Sequence, residues 1–172
     1  MIPKFKTYIS EGVWGNISKR AEGNLERKED DLNSLRMSGL LEYIQKRYVI
    51  TKDDRIVTLQ STIGIPLFTH DYCVSYLWIC YDNSLERIYY VYSRFLYDVK
   101  LKNYISSRLK QKYLVKAYKD RSSSKYDDRQ FSVINVKPKD GDIDNKFVID
   151  VIDTYIDIID NLDNIDKHIM RK

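Results

Sequence analysis

Apolar and polar residues alternate along this chain with two different periods, and the changes of period divide it into elements. After an extended start, Val13, Trp14 and Ile17 share one helical face behind Ser10, a good N-cap. A short helix is therefore expected over residues 11–20, stopped by Gly23. The stretch up to residue 36 is charged and apolar-poor, apart from Leu25, Leu32 and Leu35. Leu40, Leu41, Ile44 and Tyr48 then form a stripe that predicts a helix over 38–47. From residue 55 the period falls to two. Residues 55–60, 65–69, 72–81 and 86–95 read as strands, the last pair joined by Asp82-Asn83-Ser84-Leu85 as the clearest hairpin in the chain. Near-continuous apolar content places that pair centrally. Residues 101–113 return to helical spacing through Leu101, Tyr104, Ile105 and Leu109, and 113–118 and 130–136 alternate as strands again. Finally, Val148, Val151, Ile152, Tyr155, Ile159 and Leu162 line one side of a helix expected over 145–169. Its Asp150, Asp153, Asp157 and Asp160 fall within about 80° of arc on the other side, behind Asp144 as cap.

This order predicts an α+β fold: a mixed or antiparallel sheet of about six strands, a long C-terminal amphipathic helix, and short N-terminal helices docking elsewhere. Residues 1–36 read as a docking segment and 37–172 as a single α+β domain, the size that a chain of 172 residues supports. Apolar residues make up 43% and charged residues 31%, a globular balance. No run approaches the roughly 20 apolar residues that cross a bilayer, and the first residues lack the apolar core of a secretory signal, so no membrane partner is expected. Tyrosine is over-represented, with 15 copies against 5 Phe and 2 Trp. A rigid ring with a polar tip suits half-buried strands and wet interfaces alike.

Candidate chemistry is sparse. Two histidines, His70 and His168, and two cysteines, Cys73 and Cys80, stand at no metal-ligand spacing, so no metal is expected. The cysteines lie seven apart in one strand, some ~23 Å along it, too far to bridge there. They read as small core residues of a reducing compartment. Thr69-His70-Asp71-Tyr72-Cys73 gathers a thiol, an imidazole and a carboxylate, but the expectation is a loop histidine with a local Asp and a buried Cys. Six scattered glycines build no phosphate-binding loop, so no cofactor and no catalytic residue are assigned. The paired carboxylates read as solvated faces.

Charge is uneven. The net is +4, yet residues 141–172 carry four basic residues against eight aspartates. Between Arg94 and Arg129 stand eleven basic residues against four aspartates, with five tyrosines interleaved. Cations that track a phosphate backbone, with rings for stacking, are what single-stranded nucleic acid requires. Lys100, Lys102, Arg108, Lys110, Lys112 and Arg121 are the candidates for that alternative.

The N-terminal helix is too short to stand alone, so Tyr8, Ile9, Val13, Trp14 and Ile17 must be buried against the domain or a partner; these five are the candidate partner-binding residues. Residues Phe5 to Asn33, above all Ser10-Glu11-x-Val13-Trp14-x-Asn16-Ile17 with Arg27-Lys28-Glu29-Asp30, resemble an N-terminal segment of small proteins from gut Bacteroides phages of the crAss-like group and related prophages. The Tyr-rich sheet and the Asp-rich final helix are similar to such proteins too. The resemblance implies a virion component, a ring, collar, tail or packaged protein assembled in the bacterial cytoplasm. On that basis its partners are other virion proteins in a homo- or hetero-oligomer, and its role is structural, not enzymatic.

Overall fold

The computed structural model describes residues 37–51, 54–59, 61–82 and 84–172. The expected helix over 11–20 and the five candidate partner-binding residues Tyr8, Ile9, Val13, Trp14 and Ile17 lie outside them. The chain runs α1 (Met37–Arg47), β1 (Tyr48–Ile50), β2 (Val57–Leu59), β3 (Thr62–His70), β4 (Cys73–Asp82), β5 (Arg87–Leu96), α2 (Val99–Leu109), β6 (Leu114–Arg121), β7 (Gln130–Lys137), α3 (Asn145–Asp160), β8 (Asp166–Lys167) and β9 (Ile169–Arg171). The fold is α+β. Its main sheet has seven strands, in the order β2-β3-β4-β5-β7-β6, with β8 also pairing to β3, and every pairing is antiparallel. A second, two-stranded ribbon pairs β1 with β9.

The expected hairpin is β4–β5, pairing Trp78 with Tyr92. A second, tighter hairpin joins β3 to β4 through Asp71 and Tyr72, both at positive φ (45° and 65°). Two such residues make the turn whose twist matches that of the strands it joins. The helix expected over 101–113 spans Val99–Leu109, because Asp98 caps it two residues earlier, accepting from the Leu101 amide at 2.9 Å. Tyr113 lies beyond it.

The C-terminal helix is shorter than the pattern predicts. It starts as expected, with Asp144 accepting from the Phe147 amide at 2.7 Å, a cap worth ~1 kcal/mol. It ends at Asp160 instead of running to 169. Asn164 takes a left-handed φ of 63° that breaks the helical path, and Ile169 pairs with Ile50 and is buried in the core as a strand residue.

One face of the main sheet carries the principal core. Ile63, Ile65 and Leu67 of β3, Leu77 and Ile79 of β4, Val91 and Phe95 of β5 and Ile134 of β7 pack with Leu40 and Ile44 of α1, Leu101, Ile105 and Leu109 of α2, and Val148, Val151, Ile152, Tyr155 and Ile159 of α3. The Tyr155 hydroxyl is paired there with Ser93 at 2.6 Å, and burial pushes its pKa upward.

Asp150, Asp157 and Asp160 of the α3 stripe are exposed as its pattern suggests, while Asp153 is half-buried, and all four also pair with neighbouring elements. Asp153 accepts from Tyr48 Oη at 2.7 Å, Arg47 Nη2 at 2.5 Å and Arg171 Nε at 3.2 Å, which ties α3 to α1, β1 and β9. Asp150 accepts from Tyr113 and from Lys112 Nζ (3.2 Å), Asp157 from Arg171 (3.0 Å), and Asp160 from Lys167. The polar side of the helix is thus stitched to the strands and turns beside it.

Candidate binding surface

Because successive strand residues point to opposite faces, the residues between those core positions build the other side of the sheet. Tyr76, Trp78 and Cys80 of β4, Tyr92 of β5 and Val133 of β7 form a second cluster, flanked by Val57, Leu59, Val74, Tyr89, Tyr90 and Tyr118. Five of the chain's tyrosines gather on this one face. Among the described residues no helix contributes to the cluster, yet its five central members keep only 1–7% of their surface exposed. Trp78 lies flat across Gly64 on the next strand: a Cβ built on Gly64 would stand 2.3 Å from Trp78 Cζ3. Only glycine permits that approach. Tyr76 and Trp78 stack at 5.2 Å between ring centroids, and Tyr90 meets Tyr92 at 5.1 Å. Burial drives the Tyr76 phenol and the Cys80 thiol each up to about 12, so both are neutral.

Arg94 continues this face, paired across the ladder with Tyr76 and Val133. Its side chain is 3% exposed. The guanidinium lies 3.9 Å from the centroid of Phe131, and the nearest carboxylate, Asp120, stands 4.0 Å away. None of its three nitrogens has a hydrogen-bond acceptor among the described residues. Burial lowers its pKa against the pull of Asp120. A buried cation in this state is a natural seat for an incoming acceptor, above all a carboxylate, which meets guanidinium in a matching fork.

The residues singled out for nucleic acid are partly brought together. Tyr97, between β5 and α2, has Lys119 Nζ at 4.7 Å and Lys102 Nζ at 5.6 Å from its ring. Arg108 lies 5.2 Å from the Tyr104 ring. Lys100 and Lys110 are exposed at the two ends of α2, and Arg121 is exposed at the end of the edge strand β6. Lys112 does not join this patch: it is committed to Asp150 and Thr154 of α3. Lys119, which the alternating pattern of β6 turns toward α2, was missed as a member of the site because only the fold places it beside Tyr97.

His70 and Cys73 face each other across the β3–β4 turn, but their side chains have separate partners. His70 Nε2 sits 3.1 Å from Asp98 Oδ2 and 3.3 Å from Asp71 Oδ2, while Cys73 Sγ points to the Val74 carbonyl at 3.8 Å. Burial pushes the Cys73 thiol pKa up, with Arg129 and Arg94 opposing. A different polar chain forms around His168. Its Nδ1 meets the Asp54 carboxylate, its Nε2 meets the Thr69 hydroxyl, and Thr51 Oγ1 stands 3.4 Å from Asp54. Carboxylate, imidazole and hydroxyl follow one another as in a nucleophilic triad. Here Thr69 is held in the sheet between Val74 and Asp166, and the His168 backbone bonds both Leu67 (3.0 Å) and Thr51 (3.1 Å). The chain therefore fastens the C-terminal ribbon to β3. No sequence motif announced it, since His168 lies 99 residues from Thr69 and still farther from Asp54.

Among the described residues no group of three or more Cys, His, Asp or Glu side chains is placed to hold a metal ion, and no helix is long and apolar enough to cross a membrane. No protein-family model, curated protein or solved structure matches the chain.

Proposed function

We propose that this protein is a non-enzymatic assembly protein of a phage particle, a ring, collar, tail or packaged component, that works through protein–protein contacts. The observation that carries the reading is the aromatic second face of the sheet: Tyr76, Trp78 and Tyr92, with a buried Arg94 beside them whose guanidinium has no hydrogen-bond acceptor among the described residues. Aromatic residues and arginine are the anchors of protein interfaces. A sheet face of this kind is completed by an apolar segment laid across it. The N-terminal Tyr8–Ile17 stretch, which carries the resemblance to crAss-like phage proteins, is such a segment. Exchange of that segment between copies joins molecules head to tail, the geometry that closes into rings.

The test is solution mass by light scattering over a series of protein concentrations. The full chain should gain mass as concentration rises, and the double substitution Val13→Asp, Ile17→Asp should stay monomeric throughout. A full chain that remains monomeric, or a variant that associates equally well, ends the assembly reading.

The Lys102–Tyr97–Lys119 arrangement favours a second reading, an accessory protein that binds single-stranded nucleic acid along α2 and β6. It predicts oligonucleotide affinity that falls steeply with salt, and no binding at low salt would exclude it.

A further inference from the structure

We propose that one end of the main sheet is a base-stacking platform for single-stranded nucleic acid, presented by Tyr72, Tyr97 and Tyr126; this rests on the nucleic-acid reading and names the contact that would hold the bases. The strand register brings the three together. Tyr72 sits in the turn just before β4, Tyr97 directly follows β5, and Tyr126 stands in the loop of residues 122–129 between β6 and β7. Tyr76 pairs with Arg94, Leu96 with Phe131, and Gln130 with Arg121, so the turn, the end of β5 and the loop all lie at the same end of the sheet. Two contacts fasten that end: His70 Nε2 stands 3.1 Å from Asp98, the cap of α2, and the Tyr97 amide donates to the Gln130 carbonyl at 2.9 Å. From β4 to β6 is three strand spacings, ~14 Å, a width that a short run of nucleotides crosses. Two of the rings are turned fully outward. Tyr72 is completely exposed at a φ of 65°, and Tyr126 is 87% exposed. A bulky residue held in the left-handed region with its ring in solvent destabilises the fold, so its presence calls for a role outside the fold. The cations beside these rings supply the other half of the recognition. Lys119 and Lys102 meet the Tyr97 ring, Lys125 Nζ lies 4.9 Å from the Tyr126 ring, and Lys100 and Arg121 are exposed at the same end. The neighbouring carboxylates are engaged within the fold: Asp98 caps α2, Asp71 faces His70 at 3.3 Å, and Asp127 accepts from Arg129 at 2.8 Å, while Asp128 is exposed. Rings that stack on bases of any sequence, with lysines placed for the phosphates between them, suit a single strand. A duplex keeps its bases stacked on one another and offers the tyrosines nothing.

The test is fluorescence anisotropy of a labelled oligothymidylate titrated with the full chain over a series of salt concentrations. The wild type should bind at low salt. Tyr72→Gly and Tyr126→Ala should each lower the affinity at least about fivefold and leave the salt slope unchanged, because the phosphate contacts remain. Both side chains are exposed, and glycine relieves the strain at position 72, so neither change should unfold the domain; circular dichroism on each variant checks this. Tyr72→Trp, which keeps an aromatic face at the turn, should bind at least as well as the wild type. The same strand annealed to its complement should bind more weakly at equal salt. Wild-type affinity in the folded double variant, or duplex held as tightly as single strand, would overturn the proposal while leaving phosphate binding along α2 and β6 in place. No binding by the wild type at low salt would overturn the proposal and the nucleic-acid reading together. Labelled polyglutamate that binds as tightly and loses the same factor on the tyrosine substitutions would overturn it in favour of an acidic protein partner.

Discussion

Replacing Gly64 by alanine tests the packing on which the aromatic face depends. The added methyl would stand 2.3 Å from Cζ3, 2.7 Å from Cε3 and 2.8 Å from Cη2 of Trp78, more than an ångström inside normal carbon–carbon contact. Trp78 is 1% exposed and held by Tyr76 on its own strand, so its ring cannot lift without disturbing the face. Overpacking of this kind costs ~1–3 kcal/mol, and the lower chain entropy of alanine in a strand offsets roughly 0.5–1 kcal/mol of it. With three ring atoms in the way, the net loss should be close to 2 kcal/mol, a fall in Tm of ~4–8 °C for a chain of this size. Urea and thermal melts of the full chain, followed by far-UV circular dichroism, measure it. The decisive comparison is a double-mutant cycle: in a Trp78→Leu background, the same Gly64→Ala change should be neutral or stabilising. An alanine variant as stable as the wild type, or one that loses the same amount in both backgrounds, would refute the reasoning.

Other consequences follow from single contacts. Tyr72→Gly should stabilise the protein by ~0.5–1 kcal/mol in a urea melt, because a fully exposed tyrosine at a φ of 65° contributes strain and no packing. Asp153→Asn should cost ~1–3 kcal/mol, since three donors from Arg47, Tyr48 and Arg171 lose a charged acceptor. Burial raises the Asp153 pKa, but the Tyr48 hydrogen bond and the Arg171 and Arg47 charges outweigh it and hold the carboxyl below its ordinary 3.8. Its contribution is therefore complete above that value and lost as pH falls through the lower folded pKa, so the Asn variant should show a flatter acid limb when stability is titrated below pH 3.8. If the nucleic-acid reading holds, Lys102→Ala with Lys119→Ala should reduce the salt dependence of oligonucleotide binding by ~1.4 in slope, two contacts at about 0.7 each; an unchanged slope in a filter-binding series would place the contact elsewhere.

The elements themselves were largely legible because their signals are local. The α1 stripe, the β4–β5 hairpin and the Asp144 cap need only neighbouring residues to form. What escaped is non-local or conformationally unusual. The Asp71–Tyr72 turn lacks the glycine or asparagine that normally marks two positive φ values, so β3 and β4 read as separate strands and not as a hairpin. Ile165 and Ile169 prolong the apolar spacing of α3, and nothing nearby shows that Ile169 gains more by pairing with Ile50 in a ribbon. The even positions Tyr76, Trp78, Tyr90 and Tyr92 were visible as aromatic, but the strands' near-continuous apolar content hid which residues share a face. Arg47 and Tyr48 lie more than a hundred residues from Asp153, and Thr69 lies 99 from His168, so only the fold could bring them together.

The most direct measurement is a photo-crosslink from the N-terminal segment. A photoreactive phenylalanine analogue placed at position 14 of the full chain would be irradiated at a concentration where the chain associates, and the attached peptides identified by mass spectrometry. Attachment within β4 or β5, around Trp78 and Tyr92, is the predicted result. Attachment to α1, α2 or α3 on the opposite face, or none at all, would contradict the proposed assembly contact between this segment and the aromatic face.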